Sequence, residues 1–313
     1  MRRKDVAQRT DAGYKKILLL KKPMVYVCCM TIHEARLQLT AALYEVYAHS
    51  EAETIAAMVL EKITGWQKPD RVFNKKVPLN IQQAALLQEY TDALLQSRPV
   101  QYVLQEAWFY KWPFYVNEAV LIPRPETAEL VEWIYKEHFN KPATVLDIGT
   151  GSGCISICLK KLWNAATITA IDISEEALNV ARKNATLLDA ELTFKQIDFL
   201  AAGNWNLLPG FDIIVSNPPY IPLADKNKMQ QNVLAHEPHL ALFVYNEDAL
   251  LFYRNIANFC NGHLNSNGAV YVETHEVYAN EVADLFTATG FKEVTIKKDM
   301  QGKARMVKAC QLC

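Results

Sequence analysis

The chain has 313 residues, of which 50% are hydrophobic and 21% are charged, a composition typical of a globular protein with room for two ordinary domains. Its 33 Lys and Arg residues nearly balance its 34 Asp and Glu residues, which excludes the overall basic excess of proteins that bind nucleic acid unaided. Seven cysteines at irregular spacing favour reduced thiols in the cytoplasm over a disulfide framework. Cys310 and Cys313 form a CxxC pair without a second matching pair, and we therefore predict no metal site.

Residues 1–30 differ in character from the rest of the chain. They contain three basic residues at positions 2–4 and two short apolar runs, which a Lys-Lys-Pro segment separates. Neither run reaches the roughly 20 residues of a membrane span or the unbroken core of roughly 7–15 residues of a signal peptide. We expect a cytoplasmic protein without membrane contact, whose translation starts at Met24 or Met30. Mass spectrometry that finds an intact Met1 in the native protein would contradict the later start.

Residues 31–97 are predicted to form a small helical bundle. Apolar residues recur at helical spacing from Leu37 to Ala48, and a second helix ends at Gly65. A third apolar helix follows Pro78, and no strand pattern interrupts this part of the chain.

Residues 98–125 are rich in aromatic residues, with partial alternation of polar and apolar positions. This pattern predicts a β-hairpin that links the bundle to the remaining residues, 126–313. The segment runs into the sequence IPRPET at positions 122–127, where Pro125 can begin a helix.

From residue 143 onward, predicted strands alternate with predicted helices. The helices lie near 153–163, 174–188 and 276–289, and the strands at 143–148, 167–172, 192–197, 211–216, 268–274, 291–296 and 305–310. Such alternation predicts an α/β fold with a doubly wound, mainly parallel seven-stranded sheet and helices on both faces.

A glycine-rich turn, VLDIGTGSGCI at 145–155, follows the first of these strands. Glycine lets the backbone adopt a positive φ and approach a ligand closely. Cys154 stands where a dinucleotide-binding fingerprint needs its third glycine, which disfavours an NAD-dependent oxidoreductase. The spacing of the glycines, with Asp147 before the first, resembles the first motif of class I S-adenosylmethionine methyltransferases. The alternative is an ordinary strand-to-helix turn. The predicted cofactor contacts are Gly149, Thr150, Gly151, Ser152 and Gly153.

Two further loops are suited to an adenosyl group. Asp172 ends the second strand, where a carboxylate can accept both ribose hydroxyls; alternatively it caps the helix that begins near Ser174. Asp198 and Phe199 follow the third strand, at a position that holds the adenine in the resembling enzymes. Taken alone, they are an ordinary loop. Three such loops at the carboxyl ends of adjacent strands predict a binding site for S-adenosylmethionine.

The motif SNPPY at 216–220 directly follows the strand FDIIV. A turn would explain the prolines alone. The Asn217 side-chain oxygen and the Pro218 carbonyl oxygen can accept both N–H bonds of a planar nitrogen and so turn its lone pair toward a methyl donor. Pro219 has no competing N–H, and Tyr220 offers a ring face to a planar substrate. Orientation of this kind can supply roughly 7–11 kcal/mol of catalysis.

Together, several segments resemble the PrmC/HemK family of release-factor glutamine methyltransferases. They are Arg98-Pro99, IPRPET at 122–127, the glycine turn at 145–155, NPPY with the Ile-Pro that follows it, and Glu237-Pro238. The resemblance covers about residues 31–310. It implies methyl transfer from S-adenosylmethionine to the glutamine of the Gly-Gly-Gln motif in class 1 release factors, which the bundle helps to dock. It also implies cofactor contacts from Gly149 to Gly153, Asp172, Phe199 and Asn217, and substrate contacts from Asn217 to Tyr220.

Three positions depart from the pattern of this family. Gln105 and Tyr278 stand where glycine and glutamine are usual, and residues 245–247 replace a glycine pair before Asp248. These departures concern loop geometry and docking more than the reaction. Arg124 and its neighbour Glu126 either cover the cofactor pocket or take part in catalysis.

Two other functions are compatible with parts of this pattern. NPPY also occurs in enzymes that methylate amino groups of nucleic acids, but an adenine methyltransferase would need a basic face and a target-recognition domain, and neither is visible. A non-catalytic adaptor for translation factors would be expected to have lost Asn217, Asp172 or the glycines, and all are intact.

Overall fold

The computed structural model describes residues 30–141, 143–222, 231–244 and 248–312. The predicted extension 1–30 therefore lies outside the described residues except for Met30, as do Cys313 and residues 245–247. The chain divides into two compact units between Leu104 and Gln105. Among the described residues, no helix combines the length and the apolar character that a membrane crossing requires.

The first unit is helical, as predicted. Its helices are α1 (Ile32–Leu43), α2 (His49–Thr64), α3 (Lys68–Phe73), α4 (Ile81–Leu95) and α5 (Val100–Leu104). Thr31 caps α1 in a reciprocal capping box with Glu34, and Gly65 ends α2 with a φ of 70°. One apolar face of each long helix packs into a shared core that includes Leu39, Val59 and Leu94. Burial of these faces stabilises helices that would be marginal in isolation.

The hairpin predicted for residues 98–125 occupies only the middle of that segment. Strands β1 (Ala107–Phe109) and β2 (Trp112–Phe114) pair antiparallel. Residues 100–104 form a helix instead of a strand, because the amides of Tyr102 and Val103 donate to the Pro99 carbonyl and begin a helical turn.

Gln105, which departs from the family pattern, has a φ of 52°. A side chain disfavours this left-handed conformation by roughly 1–2 kcal/mol, whereas glycine adopts it freely. We expect Gln105→Gly to raise the free energy of unfolding by up to about 1 kcal/mol, after allowance for the extra freedom of glycine in the unfolded chain. Denaturant unfolding measures this. Gln105→Ala keeps the strain and is the control; an equal gain in both variants would contradict the explanation.

The second unit continues after the hairpin with alternating helices and strands. In chain order they are α6 (Pro125–His138), β3 (Thr144–Ile148), α7 (Cys154–Leu162), β4 (Thr167–Asp172), α8 (Glu175–Leu187), β5 (Thr193–Gln196), β6 (Phe211–Ser216), β7 (Ile221–Pro222), α9 (Gln231–His236), α10 (His239–Leu242), β8 (Phe243–Val244), α11 (Leu251–His263), β9 (Leu264–Glu273), α12 (Ala279–Thr289), β10 (Phe291–Lys298) and β11 (Ala304–Leu312).

Seven of these strands form one sheet in the order β10-β11-β9-β6-β3-β4-β5. Neighbours from β9 to β5 run parallel, while β11 is antiparallel to both β9 and β10. All seven predicted strands are present, and the predicted α/β fold with a mainly parallel sheet is confirmed.

The sheet carries an apolar core on each face. Successive residues of a strand point to opposite faces, so that Val145 packs in the layer with α6 and α7, whereas Leu146 packs in the layer with α11 and α12. Both faces are covered, which explains why the central strands are almost continuously apolar. Because strands β9, β6, β3, β4 and β5 run parallel, their carboxyl ends lie at the same edge of the sheet, where polar loops begin.

Candidate active site

The glycine turn after β3 is held in an unusual backbone conformation. Gly149, Gly151 and Gly153 have φ values of 72°, 55° and 79°, which side chains rarely adopt. The amides of Gly149 and Thr150 both donate to the Ile171 carbonyl of β4 at 2.9 and 3.0 Å. A Cβ atom at Gly149 or Gly151 would meet no protein atom within 4 Å. The first two glycines therefore border open space.

Buried polar groups support this turn from inside the unit. Asp147 is fully buried and accepts the Thr150 hydroxyl at 2.7 Å; its burial raises the pKa of Asp147 to about 6. Asn184 of α8 is also fully buried, and its Nδ2 donates to the Ser152 carbonyl at 2.9 Å. These hydrogen bonds connect the turn to both β3 and α8.

Asp172 lies beside the turn at the end of β4. Its Oδ2 accepts the Gly151 amide at 2.9 Å, and its Oδ1 accepts the Ser174 amide at 3.0 Å. Burial raises the pKa of Asp172, and the two amides oppose the rise because they favour the charged form. The helix cap is Ser174 itself, whose side chain accepts the Ala177 amide, so the alternative interpretation of Asp172 as the N-cap is wrong.

The loop after β5 supplies the third predicted contact. The Phe199 side chain is 5% exposed, and its ring stacks on Trp205 at 5.7 Å between centroids. Asp198 accepts the Leu200 amide at 3.0 Å. Ile173 and Leu200, which the sequence analysis did not single out, are 44% and 36% exposed and are the more accessible apolar side chains here.

These three loops border one cavity of about 370 Å³ in the second unit. Every predicted cofactor residue except Gly153 lines it, together with Pro219 of the NPPY segment. Those residues are Gly149, Thr150, Gly151, Ser152, Asp172, Asp198, Phe199 and Asn217. Pro218 and Tyr220 do not line this cavity: Pro218 is buried, and the Tyr220 ring packs against the core layer of α11 and α12. The structure thus brings most of the predicted residues together around one space.

Asn217 belongs to a row of hydrogen-bonded side chains. Its Nδ2 donates to Thr127 Oγ1 at 3.1 Å, and that hydroxyl donates to Glu273 Oε2 at 2.6 Å. Glu273 is 2% exposed, and burial raises its pKa to about 7, while hydrogen bonds from the side chains of Thr127 and Asn217 oppose the rise. The Asn217 amide group therefore directs its NH₂ side toward Thr127 and retains its oxygen as an acceptor.

A partly buried ion pair connects two segments that border the cavity. Arg124 Nη2 lies 2.6 Å from Glu237 Oε1, and the Glu237 side chain is 1% exposed. The second carboxylate oxygen accepts the Ile122 amide at 3.4 Å. Arg124 lines the cavity, as do Pro238 and Ala241 just beyond Glu237. Arg124 therefore belongs to the cavity wall, whereas Glu126, which was predicted to act with it, does not line this cavity.

Sequence reasoning did not assign a role to Thr127, Glu273 or Glu237. Glu273 is the last residue but one of the predicted strand 268–274 and the last residue of β9, and this position near a strand end was the signal available. Its proximity to Asn217 depends on the pairing of β9 with β6, which local patterns do not reveal.

Both parts of the chain match models of known protein families. Residues 33–104 match the model of the PrmC N-terminal domain, and residues 139–298 match a methyltransferase domain. The hMettl16 catalytic domain superposes with a TM-score of 0.50 over 74% of this chain and 81% of its own, at 15% identity, which supports the fold alone. The methyltransferase domain implies that S-adenosylmethionine is the methyl donor.

Curated relatives match nearly the whole chain. The release factor glutamine methyltransferase of Flavobacterium psychrophilum is 43% identical over 89% of this chain and 99% of its own length. That of Bacteroides thetaiotaomicron is 39% identical over 86% of this chain and 96% of its own. With both domains matched and this degree of identity, the chain belongs to the release factor glutamine methyltransferase family.

Proposed function

We propose that this protein transfers a methyl group from S-adenosylmethionine to the side-chain amide nitrogen of the glutamine in the Gly-Gly-Gln motif of class 1 peptide chain release factors, and so modulates translation termination. The observation that carries the proposal is the acceptor at Asn217. Its NH₂ group is engaged by Thr127, and its oxygen is left for a substrate N–H at the border of the cavity. The names of the curated relatives support the same substrate.

The residues around the cavity suit S-adenosylmethionine. Gly149 and Gly151 leave open space where side chains would intrude, and Asp172 presents a partly buried carboxylate to ribose hydroxyls. Ile173 and Leu200 offer apolar surface for the adenine, beside Asp198. When bound, this cofactor supplies an electrophilic methyl group on a sulfonium.

The NPPY residues would orient the substrate nitrogen. An amide nitrogen is a poor nucleophile because its lone pair is delocalised into the carbonyl group. Acceptance of its two N–H bonds by Asn217 Oδ1 and the Pro218 carbonyl would hold the lone pair toward the methyl donor. Pro219 would keep this backbone rigid, since its ring restricts φ. Orientation is the main contribution expected of these groups.

Tyr220 is proposed as a flat wall beside the substrate amide. Burial raises the pKa of Tyr220 to about 12, so its hydroxyl keeps its proton at neutral pH. Its ring lies 5.9 Å from the His275 ring between centroids. The ring would therefore act through contact and not as a base.

The finer organisation is also a proposal. Residues 31–97 would help to dock the release factor, 98–125 would link the parts, and 126–313 would carry the reaction. The expected location is the cytoplasm, where release factors act on ribosomes, with no direct role for nucleic acid or membrane.

The decisive experiment uses labelled S-adenosylmethionine, a purified class 1 release factor, and the same factor with its Gly-Gly-Gln glutamine replaced by alanine. Label on the intact factor alone supports the proposal. Label on both factors would overturn the assigned glutamine. Label on a duplex DNA control instead would favour the alternative adenine methyltransferase, and binding of the factor without any transfer would favour the adaptor.

The ion pair between Arg124 and Glu237 provides a test of the cavity wall. Removal of one partner leaves the other charge uncompensated in a partly buried site. We expect Glu237→Ala to weaken S-adenosylmethionine binding by roughly ten- to hundredfold, since about 1.4 kcal/mol corresponds to each factor of ten. Isothermal titration calorimetry measures the affinity.

The matched control is Glu175→Ala, which removes an exposed ion pair of similar length. Glu175 Oε1 lies 2.7 Å from Arg182 Nη1, and both side chains are more than 40% exposed. Exposed pairs contribute roughly 0–1 kcal/mol. Equal affinities of the wild-type enzyme and Glu237→Ala would show that the pair does not hold the wall.

A further inference from the structure

The three side chains behind Asn217 come from different elements of the second unit. Asn217 follows β6, Thr127 lies in the first turn of α6, and Glu273 ends β9. Thr127 and Glu273 are each 2% exposed, so water does not compete for their hydrogen bonds. Asn217 and Thr127 both line the cavity, whereas Glu273 lies behind them and does not line it.

The direction of the hydrogen bonds in this row follows from its donors. An ionised carboxylate only accepts, and a threonine hydroxyl has a single proton. Because Thr127 donates that proton to Glu273 at 2.6 Å, its oxygen can only accept from Asn217. Asn217 must then present its NH₂ group to Thr127, at 3.1 Å. Its oxygen then lies on the other edge of the planar amide group.

We propose that Glu273 and Thr127 are positioning residues that fix the orientation of the Asn217 side-chain amide, so that its oxygen and not its nitrogen meets the substrate. The inference rests on the proposed function, because an acceptor is needed only for a substrate that brings N–H bonds. A flipped Asn217 would place its own NH₂ group against the substrate NH₂ group. Two donors would then face each other and the substrate nitrogen would lose its alignment.

The same row makes the orientation sensitive to pH. A protonated Glu273 can donate to Thr127, whose proton is then free to turn toward Asn217 and to favour the flipped amide. The groups that act electrostatically on Glu273 or respond to it are Glu126 of α6, Cys154 of α7, Tyr220, Tyr253 of α11 and Arg305 of β11. Since burial raises the pKa of Glu273 to about 7, the ionised form is lost as pH falls below this value. We expect kcat to fall with it.

The test compares Thr127→Val, Thr127→Ser and Glu273→Gln with the wild-type enzyme. Valine preserves the volume of threonine without the hydroxyl, and serine keeps the hydroxyl. The measurements are kcat and KM with the release factor, the S-adenosylmethionine dissociation constant by calorimetry, and the Tm. Thr91→Val is the control, because Thr91 is a buried threonine of the first unit whose hydroxyl bonds only the Leu87 carbonyl among the described contacts.

Thr127→Val is expected to lower kcat by roughly ten- to hundredfold, the range found when residues that orient metal ligands are lost, with the cofactor affinity within about twofold of wild type. Thr127→Ser should restore most of kcat. Glu273→Gln should lower kcat and remove its decline below pH 7. These results would support the positioning role.

The inference is overturned if kcat of Thr127→Val stays within about twofold of wild type. It is also overturned if the valine and serine variants lose kcat, cofactor affinity and Tm in parallel, which would indicate a structural role only. Absence of methyl transfer by the wild-type enzyme would overturn the proposed substrate itself and the inference with it. The wild-type assay therefore distinguishes the two failures.

Discussion

Asn217→Ala is expected to lower kcat for methylation of the release factor by roughly 10²–10³-fold, or about 2.7–4 kcal/mol, as does the loss of one preorganised hydrogen-bonding group in other active sites. The substrate amide would keep the Pro218 carbonyl as an acceptor but lose the Asn217 oxygen. Its lone pair would no longer be held in line with the methyl donor. Cofactor affinity should change far less, because the glycine turn and Asp172 remain in place.

Radiolabel transfer under single-turnover conditions measures this change, and calorimetry measures cofactor binding. Asn265→Ala is the matched control: Asn265 Nδ2 donates to Asp212 near the beginning of β6, at the opposite end of that strand from Asn217. We expect the control to keep its rate. A rate for Asn217→Ala within about threefold of wild type would contradict the proposed role of the side-chain oxygen.

Substitution of Gly153 is expected mainly to lower the stability of the fold, whereas substitution of Gly151 is expected mainly to lower the affinity for the cofactor. Both have positive φ, which costs an alanine roughly 1–2 kcal/mol. A Cβ at Gly153 would lie 2.8 Å from Ile157 Cδ1 and 3.2 Å from Ala181 Cβ, and overpacking of this kind costs roughly 1–3 kcal/mol more. Gly153→Ala should therefore destabilise the fold by roughly 2–5 kcal/mol.

A Cβ at Gly151 would meet no protein atom within 4 Å and would project toward the space that the cofactor is proposed to fill. Gly151→Ala should thus cost only the roughly 1–2 kcal/mol of backbone strain. Its cofactor affinity should fall at least about tenfold, a loss of about 1.4 kcal/mol.

Denaturant unfolding and calorimetry separate these two effects. Gly203→Ala is the control, because Gly203 has no positive φ and no atom within 4 Å of the added Cβ. Equal stabilities of the Gly151 and Gly153 variants would contradict the packing argument. An unchanged cofactor affinity in Gly151→Ala would show that the turn does not approach the cofactor.

Local patterns in the sequence were sufficient to predict the seven strands of the large sheet, the helices between them and the loops that form the candidate site. The alternation of apolar strands with amphipathic helices predicts a mainly parallel sheet, and the carboxyl ends of parallel strands share an edge. Asp172, the glycine turn and Asn217 could therefore be assigned to one site from their positions at strand ends. Positive φ at Gly149 and Gly151 follows from the same local chemistry.

Local patterns were less reliable where neighbouring contacts decide the conformation. Residues 100–104 have a strand-like composition, yet they form a helix whose first turn is closed by hydrogen bonds to the Pro99 carbonyl. Phe199 lines the cavity as predicted for a cofactor contact, but its side chain is 5% exposed and its ring stacks on Trp205. For residues 100–104 the local context outweighed the intrinsic preference for a strand; for Phe199 the contact with Trp205 depends on tertiary packing.

The sequence by itself therefore determined the fold class, the cofactor turn and the NPPY segment, because each depends on residues close together in the chain. Only the tertiary structure decided how Asn217 is oriented. Thr127 lies 90 residues from Asn217 and 146 residues from Glu273, and the three meet because β9 pairs with β6 and α6 packs beside them. Hydrogen bonds between such distant residues follow from strand order and packing, which no local pattern encodes.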